Sequence, residues 1–425
     1  MSLIVTKFGG TSVANPERIR DVAARLVDYQ KQGNQVLAVV SAMGKATDDL
    51  LKLAQSVNPR PPARELDVLL ATGEQVSISL LAMAIEALGS GAVSMTGIQA
   101  GIVTTTVFNR AKISEINTDR LQRELDDDKI VIVAGFQGVT TKGDITTLGR
   151  GGSDTSAVAI AAALGAEVCE IYTDVDGVYT ADPRMVPRAR KLEAISYDEM
   201  LELAAAGSGV LHMRSVEVAR NHGVVIHCRS AFTTTPGTLV KEAKDMEQVI
   251  ISGVAYDNSE AKITIRGVPD QVGIAADLFT AIADTNINID MIVQNISENG
   301  ETDISFTSPI NLLPRLRTVL DGQMKTMKVR GYVVDESVAK ISLVGAGMKN
   351  NPGVAAKMFR VLAENGINID MISTSAIRVS VVIDSAQTQL AMEKLHTAFD
   401  LDSDQVFEET QLSDEELAAK AQKGR

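Results

Sequence analysis

Ile4-Val5-Thr6-Lys7-Phe8-Gly9-Gly10-Thr11-Ser12 runs a short apolar strand straight into two glycines and two hydroxyls. Paired glycines leave backbone N–H groups uncovered, and a following helix offers its positive end to the same spot. A phosphate fits there, with Lys7 adding a point charge. The same residues also suit an ordinary strand-to-helix turn, since short glycine motifs match often by chance, so neighbouring stretches decide. Asn15 is a helix N-cap with Pro16 at the first position, and Ile19, Val22, Ala23, Leu26 and Val27 repeat as one apolar face until Gly33. The run Val36-Leu37-Ala38-Val39-Val40 then reads as a strand buried on both faces of a parallel sheet. Further strands are expected at 92–95, 130–134 and 168–172, with helices around 77–88 and 154–164. This alternation predicts an α/β domain, a mainly parallel sheet with helices on both faces.

In such sheets ligands bind outside the carboxyl ends of the strands. The residues that follow each apolar run are polar here: Lys7 to Ser12, then Ser41, then Gly135 and Gln137, then Thr173-Asp174-Val175-Asp176-Gly177. Thr146-Thr147-Leu148-Gly149-Arg150-Gly151-Gly152-Ser153-Asp154 is a second glycine-rich turn, opening a second helix with a cation inside it. A Walker loop is excluded, because Gly44-Lys45 has Val39 where the leading glycine belongs and Ala46 where a hydroxyl belongs. The dinucleotide fingerprint fails as well, since Gly149-Arg150-Gly151 is followed by Asp154 where a small residue is needed.

Composition narrows the partners. The 425 residues are 45% hydrophobic and 4% aromatic with no Trp, which suits two or three globular domains. A net charge of −13 repels nucleic acid and anionic membranes, so neither is expected as a partner and the ligands should be small. No apolar run is read as long enough to span a bilayer and no leader is recognised, which makes the cytoplasm the expectation. Cys169 and Cys228 lack a C-x-x-C pattern and read as buried free thiols. His212, His222, His227 and His396 show no metal-ligand spacing; no metal ligands are assigned, and the histidines are given no chemistry.

From Thr233-Thr234-Thr235-Pro236-Gly237 the texture changes, and the charged run 241–248 marks a boundary. An internal repeat follows. Ala261-Lys262-Ile263 returns as Ala339-Lys340-Ile341, and Ile287-Asn288-Ile289-Asp290-Met291-Ile292 returns unchanged at 367–372. Each copy reads strand, glycine-containing loop, helix, strand, with helices near 274–283 and 354–364, so two small α/β modules are expected to pack together or dimerise. The division expected is 1–245 for the first domain, 246–330 and 331–405 for the two modules, and 406–425 for a charged tail.

These motifs, with Thr72-Gly73-Glu74, Val178-Tyr179 and Asp182-Pro183-Arg184, resemble those of the aspartate kinases, amino-acid kinases with two C-terminal, ferredoxin-like ACT domains. The resemblance implies transfer of the γ-phosphoryl group of ATP, carried with Mg2+, to the β-carboxylate of L-aspartate, towards lysine, threonine and methionine. No general base is evident, and none is needed, because a carboxylate with a pKa of about 3.9 is already ionised. By resemblance Lys7 and Asp154 are catalytic; Lys7, Gly9, Gly10, Thr173, Asp174, Tyr179 and Arg184 hold ATP; and Ser41, Glu74, Arg150, Gly151, Gly152 and Ser153 hold aspartate. Arg150 suits the α-carboxylate and Glu74 the ammonium. Relatives carry lysine where this chain has Gly209, a lost cation unless Arg214 reaches in. Two alternatives stand: an amino-acid sensor with weak catalysis, or another carboxylate kinase such as acetylglutamate kinase, on whose acylated amine Glu74 would be wasted.

The ACT pair implies feedback inhibition by lysine, threonine or both. The pocket implied takes Asp270, Gly273, Ile274, Ala275, Asn288, Ile289, Asp290 and Gln294 from the first module and Val354, Asn368, Ile369, Thr374 and Ser375 from the second. Val272 and Ala376 depart from the usual proline and glutamate. The resemblance also implies a homo-oligomer through the ACT modules, and Met246 is placed where some relatives start a separate regulatory subunit.

Overall fold

The structure, a computed structural model, describes residues 2–243, 250–294, 300–327 and 329–402. The chain divides into two compact units: Met1–Val178 with Lys191–Glu247, and Tyr179–Arg190 with Gln248–Arg425. Met246 and the tail 406–425 lie outside the described residues.

In the first unit, β1 (Leu3–Phe8), β2 (Gln35–Val40) and β3 (Ala92–Met95) belong to an eight-stranded sheet, and β4 (Ile102–Thr104) and β5 (Ile113–Ile116) to a four-stranded one. β6 (Ile130–Ala134) returns to the large sheet, β7 (Gln137–Thr140) and β8 (Ile145–Thr147) to the small one. β9 (Val168–Thr173), β10 (Ala194–Ser196), β11 (Val225–Ser230) and β12 (Thr238–Lys241) complete the large sheet, whose order is β10-β12-β11-β9-β1-β2-β6-β3. Every pairing from β11 to β3 is parallel, and β12 runs antiparallel to β11. β6 and the Val36–Val40 run of β2 sit inside because they have no polar face to give to water, and Val36 to Val40 and Ile130 to Ala134 are fully buried.

The first helix forms at Pro16–Lys31 as its pattern predicts: Asn15 Oδ1 accepts from the Arg18 N–H at 3.0 Å, and the five expected apolar residues are buried. The adjoining helices Ala63–Leu70 and Thr72–Ala87 together are long and apolar enough to cross a membrane by length and composition. Ile78, Leu81 and Ile85 face the core of this unit, as in a buried core helix, which passes the same test.

The second unit holds two antiparallel sheets. β13 (Gly253–Asp257), β14 (Glu260–Pro269), β15 (Ile292–Gln294), β16 (Glu301–Pro309), β17 (Gly331–Asp335), β18 (Val338–Val344), β19 (Met371–Thr374) and β20 (Arg378–Asp384) form them in the orders β15-β16-β14-β17 and β13-β18-β20-β19. β13 precedes the first repeat in sequence yet pairs with β18 of the second. Helices Ile274–Ala283 and Leu313–Met327 pack with the first sheet, Val354–Glu364 and Thr388–Ala398 with the second.

The repeated motifs meet each other. Lys262 Nζ lies 2.6 Å from Asp370, and Lys340 Nζ lies 2.6 Å from Asp290, so each Ala-Lys-Ile strand gives its lysine to the Asn-Ile-Asp segment of the other module. The excursion Tyr179–Arg190 joins the same unit. Ala181, Val186 and Ala189 enter its core, Thr180 O accepts from the Val254 N–H at 2.7 Å, and Thr180 Oγ1 lies 2.8 Å from His396 Nε2. His396 is fully buried, with Nδ1 2.8 Å from Asp402.

Candidate active site

Parallel strands align their carboxyl ends, and backbone hydrogen bonds tie the loops that follow them into one rim. The Gly9 N–H donates to Tyr172 O at 3.3 Å, the Ser41 N–H to Phe8 O at 3.1 Å and the Gly135 N–H to Val40 O at 3.0 Å. The rings of Phe8 and Tyr172 stack with centroids 4.7 Å apart, which steadies β1 where it ends. Gly10 must be glycine, because a Cβ there would sit 2.7 Å from Ala42 O. The helix that opens directly on this pair is a single 3-10 turn, Gly10–Val13; the Pro16–Lys31 helix begins beyond it under its own Asn15 cap.

The second glycine turn is anchored to the first. Its helix, Gly152–Leu164, starts at Gly151 with φ of +68° and no side-chain cap, and the Gly152 N–H donates to Gly149 O at 3.0 Å. Asp154, in that first turn, pairs with Lys7 at 2.5 Å, both side chains nearly buried. Ser153 packs so closely on Gly135 that a Cβ at Gly135 would come within 2.7 Å of its own Cβ. A Cβ at Gly151 would land in the His212 ring, and one at Gly152 would press on Phe136.

Glu74 lies in the first turn of Thr72–Ala87 and is 2% exposed. Its Oε1 accepts from the Ala42 N–H at 3.3 Å, while its Oε2 is buried and has no partner. Burial pushes its pKa up to about 7, against the pull of its own backbone N–H and that of Ala42. Ser12 Oγ is likewise buried without a partner. Arg150 stands exposed on its loop, with no ion pair among the described residues.

Where β9 ends, Thr173 Oγ1 donates to Asp174 at 3.0 Å. Tyr179 and Arg184 belong to the second unit: Tyr179 packs on its core, and Arg184 donates to Asp182 at 2.8 and 3.0 Å. A side chain at Gly209 would meet nothing within 4 Å. Arg214 does not replace the missing cation, because its guanidinium donates to Leu148 O at 2.5 Å and to Ala111 O at 3.0 Å.

His212 also has work that its spacing concealed. Its Nδ1 accepts from the Arg214 N–H at 3.4 Å and caps the helix Met213–His222. Burial and then the Arg214 charge depress its pKa, with Asp154 opposing, so the ring is neutral near pH 7. Asp67, fully buried, is a second residue that sequence reasoning passed over.

In the second unit, Asp270, Gly273, Asn288, Gln294, Asn368, Thr374 and Ser375 are exposed, and Ile274, Ala275, Ile289, Val354 and Ile369 half-buried. Asp290 is already engaged by Lys340. The helices Ile274–Ala283 and Val354–Glu364 begin at Gly273 and Gly353, with φ of +99° and +100° and no side-chain cap.

Comparison with known proteins gives this geometry its context. The amino acid kinase family profile matches residues 2–230, and ACT domain profiles match 263–321 and 341–399. An aspartokinase from Mycolicibacterium smegmatis is 53% identical over 95% of this chain and 97% of its own. Escherichia coli aspartokinase III, solved in complex with aspartate and ADP (R-state), is 24% identical and covers 94% of this chain and 99% of its own at a TM-score of 0.78. The same enzyme in complex with lysine and aspartate (T-state) aligns over the same shares at 24% identity and a TM-score of 0.74. The chain belongs to the aspartokinases, aspartate kinases built from an amino acid kinase domain and two ACT domains.

Proposed function

We propose that the chain phosphorylates the β-carboxylate of L-aspartate with ATP, yielding 4-phospho-L-aspartate as the first step towards lysine, threonine and methionine. The observation that carries the substrate assignment is the buried, partnerless Oε2 of Glu74, on a rim that also presents Arg150. An ammonium satisfies the first and a carboxylate the second, and a free α-amino acid brings both. An acylated amine would leave Glu74 unpaired.

The nucleophile arrives ionised, so the protein's task is to align it and to offset charge on the oxygens being transferred. Lys7, held by Asp154, faces the Gly9 turn: a Cβ at Gly9 would lie 3.6 Å from its Nζ. From there its ammonium and the Gly10 N–H would meet the phosphates, while the Ser153 hydroxyl and the uncapped start of its helix would orient the acceptor. Thr173 and Asp174 would hold the rest of the nucleotide. Magnesium, when bound, neutralises charge on the phosphate oxygens. Asp154 is committed to Lys7, so the ion would ride on the nucleotide's own phosphates.

The ACT modules would oligomerise and bind lysine, threonine or both, the carboxylate of the effector meeting the uncapped helix starts at Gly273 and Gly353. The lysine complex of the E. coli enzyme supports this reading. An ATP-dependent hydroxamate assay tests it. Aspartate should be turned over and N-acetylglutamate should not, and millimolar lysine plus threonine should inhibit. Equal turnover of the two acceptors overturns the substrate reading, and indifference to both effectors overturns the regulatory one.

A further inference from the structure

We propose that Asp67 and Arg214 are positioning residues which together lock the strand end from which Arg150 emerges, and so set its distance from Glu74. The proposal rests on the reading of Arg150 as the grip on the α-carboxylate.

Asp67 sits on the helix Ala63–Leu70 with its carboxylate completely shielded from solvent. It accepts from the Asn109 N–H at 2.9 and 3.1 Å, from the Thr147 N–H at 2.9 Å and from the Thr147 hydroxyl at 2.6 Å. Arg214 grips the other polarity of the same two segments, donating to Leu148 O and Ala111 O. The Ala111 N–H donates to Thr147 O at 3.0 Å, and the Leu148 N–H to Phe136 O at 2.8 Å. Gly149, at φ +78°, lies so close that a Cβ would sit 2.9 Å from Asn109 O. Every backbone polar group of Thr147 and Leu148 is therefore taken, and Arg150 is the second residue beyond.

The anion side of this clamp is covalently tied to the other half of the substrate site. The helix carrying Asp67 runs through Ala71 directly into the helix that carries Glu74 in its first turn. The Ala71 N–H donates to Asp67 O at 3.0 Å, and Gln137 Nε2 donates to Ala71 O at 2.9 Å. One rigid junction thus holds both the ammonium partner and, through Asp67, the loop of the carboxylate partner. An amino-acid substrate needs those two charges at a fixed separation, and small misplacements of such groups cost large factors in rate. A buried carboxylate that meets only dipoles is expensive to keep, which fits a role in geometry better than one in stability alone.

The test is steady-state kinetics of Asp67→Asn, Arg214→Gln and Arg150→Ala, singly and with Asp67→Asn combined with Arg150→Ala. Asp67→Asn turns two acceptor oxygens into one and sets an amide N–H against backbone donors, so the aspartate KM should rise tenfold or more while the ATP KM stays within about twofold. Adding Asp67→Asn to Arg150→Ala should raise the aspartate KM no further, because the clamp acts through that arginine. Should Asp67→Asn fail to fold, Arg214→Gln carries the same expectation from the other side of the clamp. Equal rises in both KM values, or a full additive loss in the double variant, overturns the proposal. If Arg150→Ala raises the aspartate KM and neither clamp variant does, the clamp falls while the Arg150 reading stands. If Arg150→Ala leaves the aspartate KM unchanged, both fall.

Discussion

Glu74→Gln should stabilise the ligand-free protein at pH 8 and leave it unchanged at pH 4.5. Burial lifts the Glu74 carboxyl from its ordinary 4.5 to about 7, so the folded chain keeps that proton through a range in which the unfolded chain has released it. Stability therefore falls as pH rises from about 4.5 to about 7 and stays lowered above, the reverse of the usual behaviour of a salt-bridged carboxylate. At about 1.4 kcal/mol per pH unit, the ionised group costs the first unit about 3 kcal/mol at pH 8. Glutamine keeps the shape and the acceptor for the Ala42 N–H without the charge, so the variant should melt roughly 6 to 12 °C higher at pH 8, the scale expected for a unit of this size. Calorimetry of the first unit's transition at both pH values measures the difference. A gain of the same size at pH 4.5 and pH 8 would refute the reasoning, since it would owe nothing to ionisation. The variant should also lose aspartate affinity, because it has discarded the partner for the substrate's ammonium.

Other substitutions probe the remaining assignments. Lys7→Ala should lower kcat by about two orders of magnitude or more with little change in either KM, as expected of a charge that strengthens its hold in the transition state; a pure KM effect contradicts the role. Gly209→Lys has open space to enter and should lower the ATP KM severalfold, and an unchanged or raised ATP KM means no phosphate lies within its reach. Lys340→Met removes the nearer of two cations on Asp290, leaving Arg378 at 3.9 Å, and should lower the effector concentration that halves activity; an unaltered inhibition curve removes Asp290 from the effector site.

Much of the scaffold can be read directly from residue order. β6 and β2 from Val36 onward are apolar, so they could only be interior strands of a parallel sheet, and Asn15-Pro16 could only begin a helix. The residues after each strand follow the same logic, which is why Lys7, Ser41, Gly135 and Thr173 were found together. The small sheet β5-β4-β7-β8 was not legible, because strands of three or four residues are too short to show a period. Asp67, His212 and Arg214 escaped for another reason. The partners of Asp67 and Arg214 lie dozens of residues away in sequence, and an isolated aspartate or arginine carries no local mark of what it will grip; His212 caps its own helix, a use that its spacing does not announce. The repeat announced two modules, but identity between copies cannot reveal that each lysine serves the other copy's aspartate.

The excursion Tyr179–Arg190 has a consequence for how the chain is made. Ala189 bridges to Asp402, and Ala181 and Val186 enter a core completed by Leu343, Leu395 and Leu401. On a ribosome these apolar residues emerge roughly 200 residues ahead of the last partners they bury against, a wait of about 10 to 40 s at ordinary elongation rates. Throughout that interval the nascent first unit carries an uncovered apolar loop. A chain begun at Met246 meets the converse difficulty, since it contains β13 to β20 but not the segment whose Thr180 binds Val254 and His396.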